Sequence, residues 1–167
     1  MLLLDCLEVV DGEDLLEMGC GSGIISVHCA AAGARVTAVD LNPAAVECAI
    51  ENARRNGLEV RGIVSDLFSK VTGVYNQIVF NPPYLTADDG DSLALSWSGG
   101  RGGVEVLDRF LGEVPGFLKH RGRITVVASS SMDDELLRSS ISRFETEILG
   151  KKHIFFEELR VLSMRVR

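Results

Sequence analysis

Asp14-Leu15-Leu16-Glu17-Met18-Gly19-Cys20-Gly21-Ser22-Gly23 is an apolar run broken by three alternating glycines. Asp14–Met18 reads as a buried strand and Gly19–Gly23 as the turn that ends it. Ile24–Ala32 has helical spacing and closes at Gly33. Strand, glycine turn and helix in that order open a βαβ unit. The chain continues in the same alternation. Arg35–Val39 is a second strand. Asn42 caps a helix that has Pro43 in its first turn, runs through Ala44–Arg55 and stops at Asn56-Gly57. Glu59–Val64 and Asn76–Phe80 are further strands, and a polar, glycine-rich loop spans Leu85–Gly103. Val104–Lys119 has helical spacing, Arg123–Ala128 is a fifth strand, and Asp133–Arg143 is a helix. Phe144–Ile148 and Leu159–Val166 close the chain as two strands. The fold class expected is α/β, a three-layer, doubly wound, mostly parallel sheet. A terminal hairpin would place one antiparallel strand in it.

The 167 residues suit one domain, 1–167, with no repeat and no linker. Seventeen Lys and Arg stand against twenty-four Asp and Glu, a net charge of −7, with no basic stripe to track a phosphate backbone. Composition excludes collagen, coiled coil and disorder. Asp5, Glu8 and Asp11 interrupt the opening Met1-Leu2-Leu3-Leu4, and no basic residue precedes it, so the reading is cytoplasmic. Cys6, Cys20, Cys29 and Cys48 have neither C-x-x-C nor zinc spacing and read as small buried thiols.

Four motifs follow four strands. Gly19 and Gly21 permit close backbone approach to a ligand beyond the first. The spacing is G-x-G-x-G and not the dinucleotide pattern, which lowers an NAD-dependent oxidoreductase reading. Asp40, in Val39-Asp40-Leu41-Asn42-Pro43, comes right after the second strand, where a carboxylate can accept both hydroxyls of a ribose. Ser65-Asp66-Leu67-Phe68 follows the third. Asp66 there can accept from an adenine amino group, with Leu67 and Phe68 flanking the ring. Asn81-Pro82-Pro83-Tyr84 follows the fourth. Its prolines hold the backbone extended and remove two N–H donors. The carbonyls and the Asn81 side chain then offer two acceptors to a planar NH2 group, and Tyr84 offers a flat face. His28, His120 and His153 lie in helix or loop contexts and read as structural.

With these residues the chain resembles class I S-adenosylmethionine-dependent methyltransferases. More narrowly it resembles the short archaeal and eukaryotic branch of the HemK-type glutamine methyltransferases that modify peptide-chain release factors. The resemblance covers nearly the whole chain: Leu2–Glu8, the E-x-G-x-G-x-G loop, D-x-N-P, S-D-L, F-N-P-P-Y, Trp97-Ser98-Gly99-Gly100-Arg101-Gly102-Gly103 and Asp108-Arg109-Phe110. It implies a seven-stranded sheet with the last strand antiparallel, and S-adenosyl-L-methionine as cofactor. Glu17, Gly19 and Gly21 would line its methionine and ribose portion, Asp40 would hold the ribose, and Asp66 with Leu67 the adenine. Gly23, Leu41 and Asn81 complete the cofactor-binding set. Asn81, Pro82, Pro83 and Tyr84 would form the catalytic acceptor site, with no metal. Relatives carry a lid segment, Y-x-P-x-E-D-[ST], and this chain starts at Met1 inside that region.

The resemblance further implies a release factor as substrate and a small zinc-binding activator protein at the third-strand edge. An uncovered edge at Glu59–Val64, with a mean hydropathy of +0.18, predicts poor solubility or self-association without that partner. The other readings are transfer to an adenine amino group of nucleic acid or to a protein lysine, and a non-catalytic cofactor-binding scaffold.

Overall fold

The computed structural model describes residues 1–83 and 103–167. Tyr84, the Trp97–Gly102 segment and the loop expected from Leu85 therefore lie outside the described residues. In chain order the elements are α1 (Leu2–Cys6), β1 (Asp14–Met18), α2 (Ile24–Ala31), β2 (Arg35–Asp40), α3 (Pro43–Arg55), β3 (Val60–Val64) and β4 (Tyr75–Phe80). After the undescribed stretch come α4 (Glu105–Glu113), a 3-10 turn (Val114–Phe117), β5 (Leu118–Ser129), α5 (Asp134–Ile141), β6 (Phe144–Ile154) and β7 (Glu157–Val166).

Among the described residues seven strands form one sheet in the order β3-β2-β1-β4-β5-β7-β6. The first five are parallel to one another. β7 is antiparallel to both β5 and β6, so it is the one reversed strand and lies inside the sheet. The chain winds outward from β1 to β3, then returns to lay β4 on the other side of β1. The strand order thus reverses between β1 and β4, where open α/β sheets bind ligands beyond their carboxyl ends.

Alternation along the strands builds a core on each face. Leu16, Met18, Ile78, Phe80, Ile124 and Val126 pack against Leu107, Phe110 and Leu111 of α4. Leu15, Val36, Val79, Val127 and Val161 pack the other way, against Ile25 and Cys29 of α2 and Leu3 of α1. Burial on both faces is why these strands read as mostly apolar runs and not as a strict apolar–polar alternation. Caps fix two helix starts: Asn42 accepts from the Ala44 N–H at 3.0 Å, and Asp133 from the Leu136 N–H at 3.0 Å.

The structure corrects several expectations. α4 stops at Glu113 rather than Lys119, because Pro115 has no N–H to continue it; a 3-10 turn follows and β5 begins at Leu118. The strand expected to end at Ile148 runs on to Ile154. Its upper half is exposed on the sheet edge and carries Gly150, Lys151 and Lys152, so no apolar pattern marks it. Met1–Leu4 leads into a short helix whose Leu3 is 2% exposed in the core. His28 is on α2, but His120 and His153 lie on strands, not in loops. Cys20 and Cys29 are buried as expected, whereas Cys6 is half-buried and Cys48 is exposed.

Candidate active site

The four motifs lie at the same end of the sheet, at the carboxyl ends of β3, β2, β1 and β4. Neighbouring strands lie about 4.8 Å apart. Asp66, Asp40, the glycine loop and Asn81 therefore stand in a row across four adjacent strands, two of them on each side of the β2–β1 boundary.

The glycine loop is clamped on three sides. Gly19, Gly21 and Gly23 all have left-handed φ values, 65°, 50° and 75°. The Cys20 N–H donates to the Val39 carbonyl at 2.9 Å, extending the β1–β2 ladder. The Gly21 N–H donates to Asp40 Oδ2 at 3.0 Å. Asn52 on α3 donates through Nδ2 to the Ser22 carbonyl at 2.9 Å. Where Gly23 carries only hydrogen, a Cβ would stand 2.5 Å from the Ala49 Cβ and 2.6 Å from its Cα. Gly23 is thus the point where the loop touches the α3 backbone. Gly21 differs: a Cβ there would meet nothing within 4 Å, so its backbone faces open space. Gly23→Ala is expected to cost about 2–3 kcal/mol from overpacking and the left-handed backbone. Thermal or urea melting checks this, and an unchanged midpoint would mean that α3 yields freely.

Asp40 is half-buried and committed at both oxygens, since Oδ1 accepts from the Asn42 N–H at 2.9 Å. Each carboxylate oxygen keeps a further lone pair for a ligand. Leu41 beside it is 69% exposed. Glu17 behaves differently from an open ligand group. It is 1% exposed and faces α2, where Ser26 donates to Oε2 from its backbone N–H at 2.8 Å and from its hydroxyl. Burial pushes its carboxyl up to about 7; the Ser26 bonds pull down, and the charge of Asp40 adds to the rise. A carboxyl raised in the folded state stabilises fully below its unfolded pKa, and that contribution is lost as pH climbs through the folded value. Glu17→Gln removes the effect. Relative to wild type, the variant should gain up to roughly 3 kcal/mol between pH 5 and pH 8. Melting temperatures at the two pH values check this, and a constant difference would contradict it.

At the end of β3, the Ser65 N–H donates to the Asp40 carbonyl at 2.9 Å, tying that turn to the end of β2. Leu67 has φ 44°, a left-handed conformation unusual for a leucine, held by Ser65 Oγ donating to its carbonyl at 2.9 Å. Asp66 is exposed and pairs with Arg109 on α4 at 3.0 Å, from Nη2 to Oδ2. The expectation for Phe68 fails. Its ring stacks on Phe110 and Phe117 at 5.4 and 4.4 Å and is 2% exposed, so it belongs to the core. Leu67 is 7% exposed and joins the same cluster. Asn81 is exposed at the top of β4, with Pro82 buried and Pro83 half-buried behind it. Met18 and Phe80 are register partners, so Asn81 follows one strand away from Gly19. The Phe80 ring lies under the loop, 3.2 Å from where a Gly19 Cβ would be.

Sequence reasoning placed the backbone of this site but missed Asn52, Ser26 and Arg109 as its supports. Each contact joins residues far apart in sequence, and a polar residue on a helix carries no sign of such a bond. The donor set fits a ribose-bearing, cationic cofactor. Carboxylates flank the crevice, a backbone segment at Gly21 is open to approach, and Asp40 has acceptor capacity left.

Fold and crevice together define a doubly wound α/β protein with a ligand site at its switch point. The chain belongs to the methyltransferase small domain family, whose description matches residues 1–155. A Methanocaldococcus jannaschii protein named as a protein N5-glutamine methyltransferase is 39% identical over 170 residues, spanning 98% of this chain and 86% of that one. Human methyltransferase HEMK2 is 34% identical over 150 residues, spanning 80% and 70%. The E. cuniculi Mtq2–Trm112 complex, described as responsible for methylation of the eRF1 translation termination factor, is similar in fold. Its TM-score is 0.78 at 22% identity, covering 99% of this chain and 93% of that one.

Proposed function

We propose that this chain transfers a methyl group from S-adenosyl-L-methionine to the side-chain amide nitrogen of a glutamine, the one in the GGQ motif of a peptide-chain release factor. The observation that carries the reading is the row of motifs across the sheet: an adenine-side carboxylate, a ribose-side carboxylate, an open glycine loop and an amide-type acceptor site, in the order of the cofactor's own parts. The name of the relative at 39% identity, a protein N5-glutamine methyltransferase, supports the same acceptor.

The bound cofactor supplies an electrophilic methyl on a sulfonium. In our reading Asp40 holds the ribose hydroxyls, Asp66 and Leu67 the adenine edge, and Gly19, Gly21, Gly23 and Leu41 the backbone wall. Glu17 anchors that wall through α2 rather than lying open to it. An amide nitrogen is a weak nucleophile because its lone pair is delocalised into its carbonyl. The Asn81 side-chain oxygen and the Pro82 carbonyl accept its two N–H hydrogens and fix its direction. Pro83 keeps the segment extended, and the ring of Tyr84, which lies outside the described residues, would offer the amide a flat face. Such positioning can supply up to roughly 7–11 kcal/mol of the barrier reduction. Once methylated, the nitrogen carries one N–H proton too many; the positive charge makes that proton acidic enough to pass to water, so no strong base is required.

The reading extends to a small zinc-binding activator at the β3 edge. Among the described residues β3 pairs on one side only, and Val64 at its end and Ile50 on α3 are 36% and 40% exposed. Among the described residues no helix is long and apolar enough to cross a membrane, and a release factor as substrate places the reaction in the cytoplasm. The test is incorporation of labelled methyl from the cofactor, with the activator present. Label in release factor and none in duplex DNA is expected; the reverse would move the acceptor to an adenine amino group.

A further inference from the structure

The β6–β7 hairpin ends in two phenylalanines that join no hydrophobic cluster among the described residues. Phe155 and Phe156 are fully exposed, at 97% and 106%. They form a two-residue turn between the paired Ile154 and Glu157. Phe155 is left-handed, with φ 54°. Two-residue hairpin turns favour Asn or Gly at such a position, because a Cβ crowds the backbone there. The sequence thus keeps a strained backbone and two wetted aromatic rings at one point, a combination that works against the stability of the chain alone.

The tip is held at a defined place. β7 is antiparallel to β5 and β6 antiparallel to β7, so β6 points the same way as β4. Phe80, Val126, Leu162 and Ile148 are level across β4, β5, β7 and β6. The tip therefore rises about 20 Å beyond the end of β4, at about 3.3 Å per residue, and stands two to three strand spacings to its side. That side is the acceptor side, away from the glycine loop and Asp40. The hairpin is pinned just below its tip. Ser129 donates its hydroxyl to Glu157, and the Glu158 N–H donates to Ser130 Oγ at 2.9 Å. Glu158 also pairs with Arg160 at 2.6 Å and His153 at 3.1 Å. The acidic groups near the tip are thereby committed. Lys151 and Lys152 are exposed and take part in no ion pair among the described residues, although Lys151 lies near enough to help hold Glu158 below the usual carboxylate range. The tip is basic and aromatic on a chain of net charge −7.

We infer that the Phe155–Phe156 tip, with Lys151 and Lys152, is a docking arm for the body of the acceptor protein, seating in an apolar recess rimmed by carboxylates while the acceptor glutamine reaches Asn81. This rests on the function proposed above. Aromatic residues are enriched at protein interfaces, where a few buried anchors carry most of the binding energy, and the arm stands on the acceptor side of the sheet.

Two double variants test it, Phe155→Asn/Phe156→Gly and Lys151→Glu/Lys152→Glu, in steady-state methylation of intact release factor. Loss of the anchor should raise KM for the release factor about tenfold or more. Turnover at saturation and the Kd for S-adenosylmethionine should stay within about twofold, a split expected when only uniform binding is lost. The Asn-Gly turn should also melt no lower than wild type, because it relieves the left-handed phenylalanine. An unchanged KM, or a KM that rises only together with a fall in melting temperature, overturns the docking role while leaving the function intact. So does binding of wild type, but not the variant, to phosphatidylserine–phosphatidylcholine vesicles, or a wild-type dimer that the variant dissolves. A wild-type chain that leaves release factor unmethylated overturns the functional reading itself, and the arm's assigned occupant with it.

Discussion

Asn81→Ala should lower turnover about a thousandfold, roughly 4 kcal/mol of transition-state stabilisation, while leaving cofactor affinity nearly unchanged. Asn81 is exposed at the top of β4, so truncating it leaves no cavity in the core. Its removal takes away one of the two acceptors that aim the amide. The nitrogen would then sample directions in which its weak lone pair misses the methyl group. Because positioning, rather than proton removal, supplies the rate, no change of pH should rescue the variant. Calorimetry with S-adenosylmethionine and single-turnover rates separate the two parameters. Loss of cofactor binding with the chemical step preserved would contradict the acceptor role.

Asp40→Ala should weaken cofactor binding by more than about a hundredfold. Two hydrogen bonds to a charged carboxylate are worth roughly 1.5–3 kcal/mol each, and a ribose would lose both. Part of the effect comes through the protein. Asp40 also holds the Gly21 and Asn42 N–H groups, at 3.0 and 2.9 Å. Removing it frees the glycine loop and the start of α3 together. Asp40→Asn helps to divide these contributions, because an amide oxygen can keep one backbone clamp but cannot accept from two hydroxyls as a carboxylate does. Unchanged affinity in Asp40→Ala would reduce Asp40 to a turn-forming residue beside a helix N-terminus.

The parts of the fold legible in the sequence were those whose burial is local in pattern. Leu15–Met18, Ile78–Phe80 and Ile124–Ala128 are buried without a break, with Glu17 and Thr125 as their polar members, because both faces of the sheet are covered. Asn42-Pro43 announced the start of α3 because a cap and a first-turn proline act over neighbouring residues. The upper half of β6 was invisible for the opposite reason: an exposed edge strand is held by backbone pairing with β7, which side chains need not signal. The end of α4 was misjudged because apolar spacing continues through Val114, Phe117 and Leu118, although Pro115 breaks the backbone ladder. In the site, the glycine loop, Asp40 and Asn81 could be placed because each directly follows a strand. Phe68 could not, since a phenylalanine after a strand looks the same whether it flanks a ligand or stacks on Phe110 and Phe117. The Asp66–Arg109 and Ser22–Asn52 contacts depend on tertiary approach and left no local trace.

The central claim is that the crevice between β1 and β4 delivers a methyl group to a planar side-chain amide. Tandem mass spectrometry of a release factor, after incubation with this chain, S-adenosylmethionine and the activator protein, tests it most directly. The account predicts one added methyl group, localised by fragment ions to the side-chain amide of the glutamine in the GGQ motif, and absent with Asn81→Ala. An unmodified glutamine, with the methyl group found on a lysine or on adenine in added nucleic acid, would contradict it.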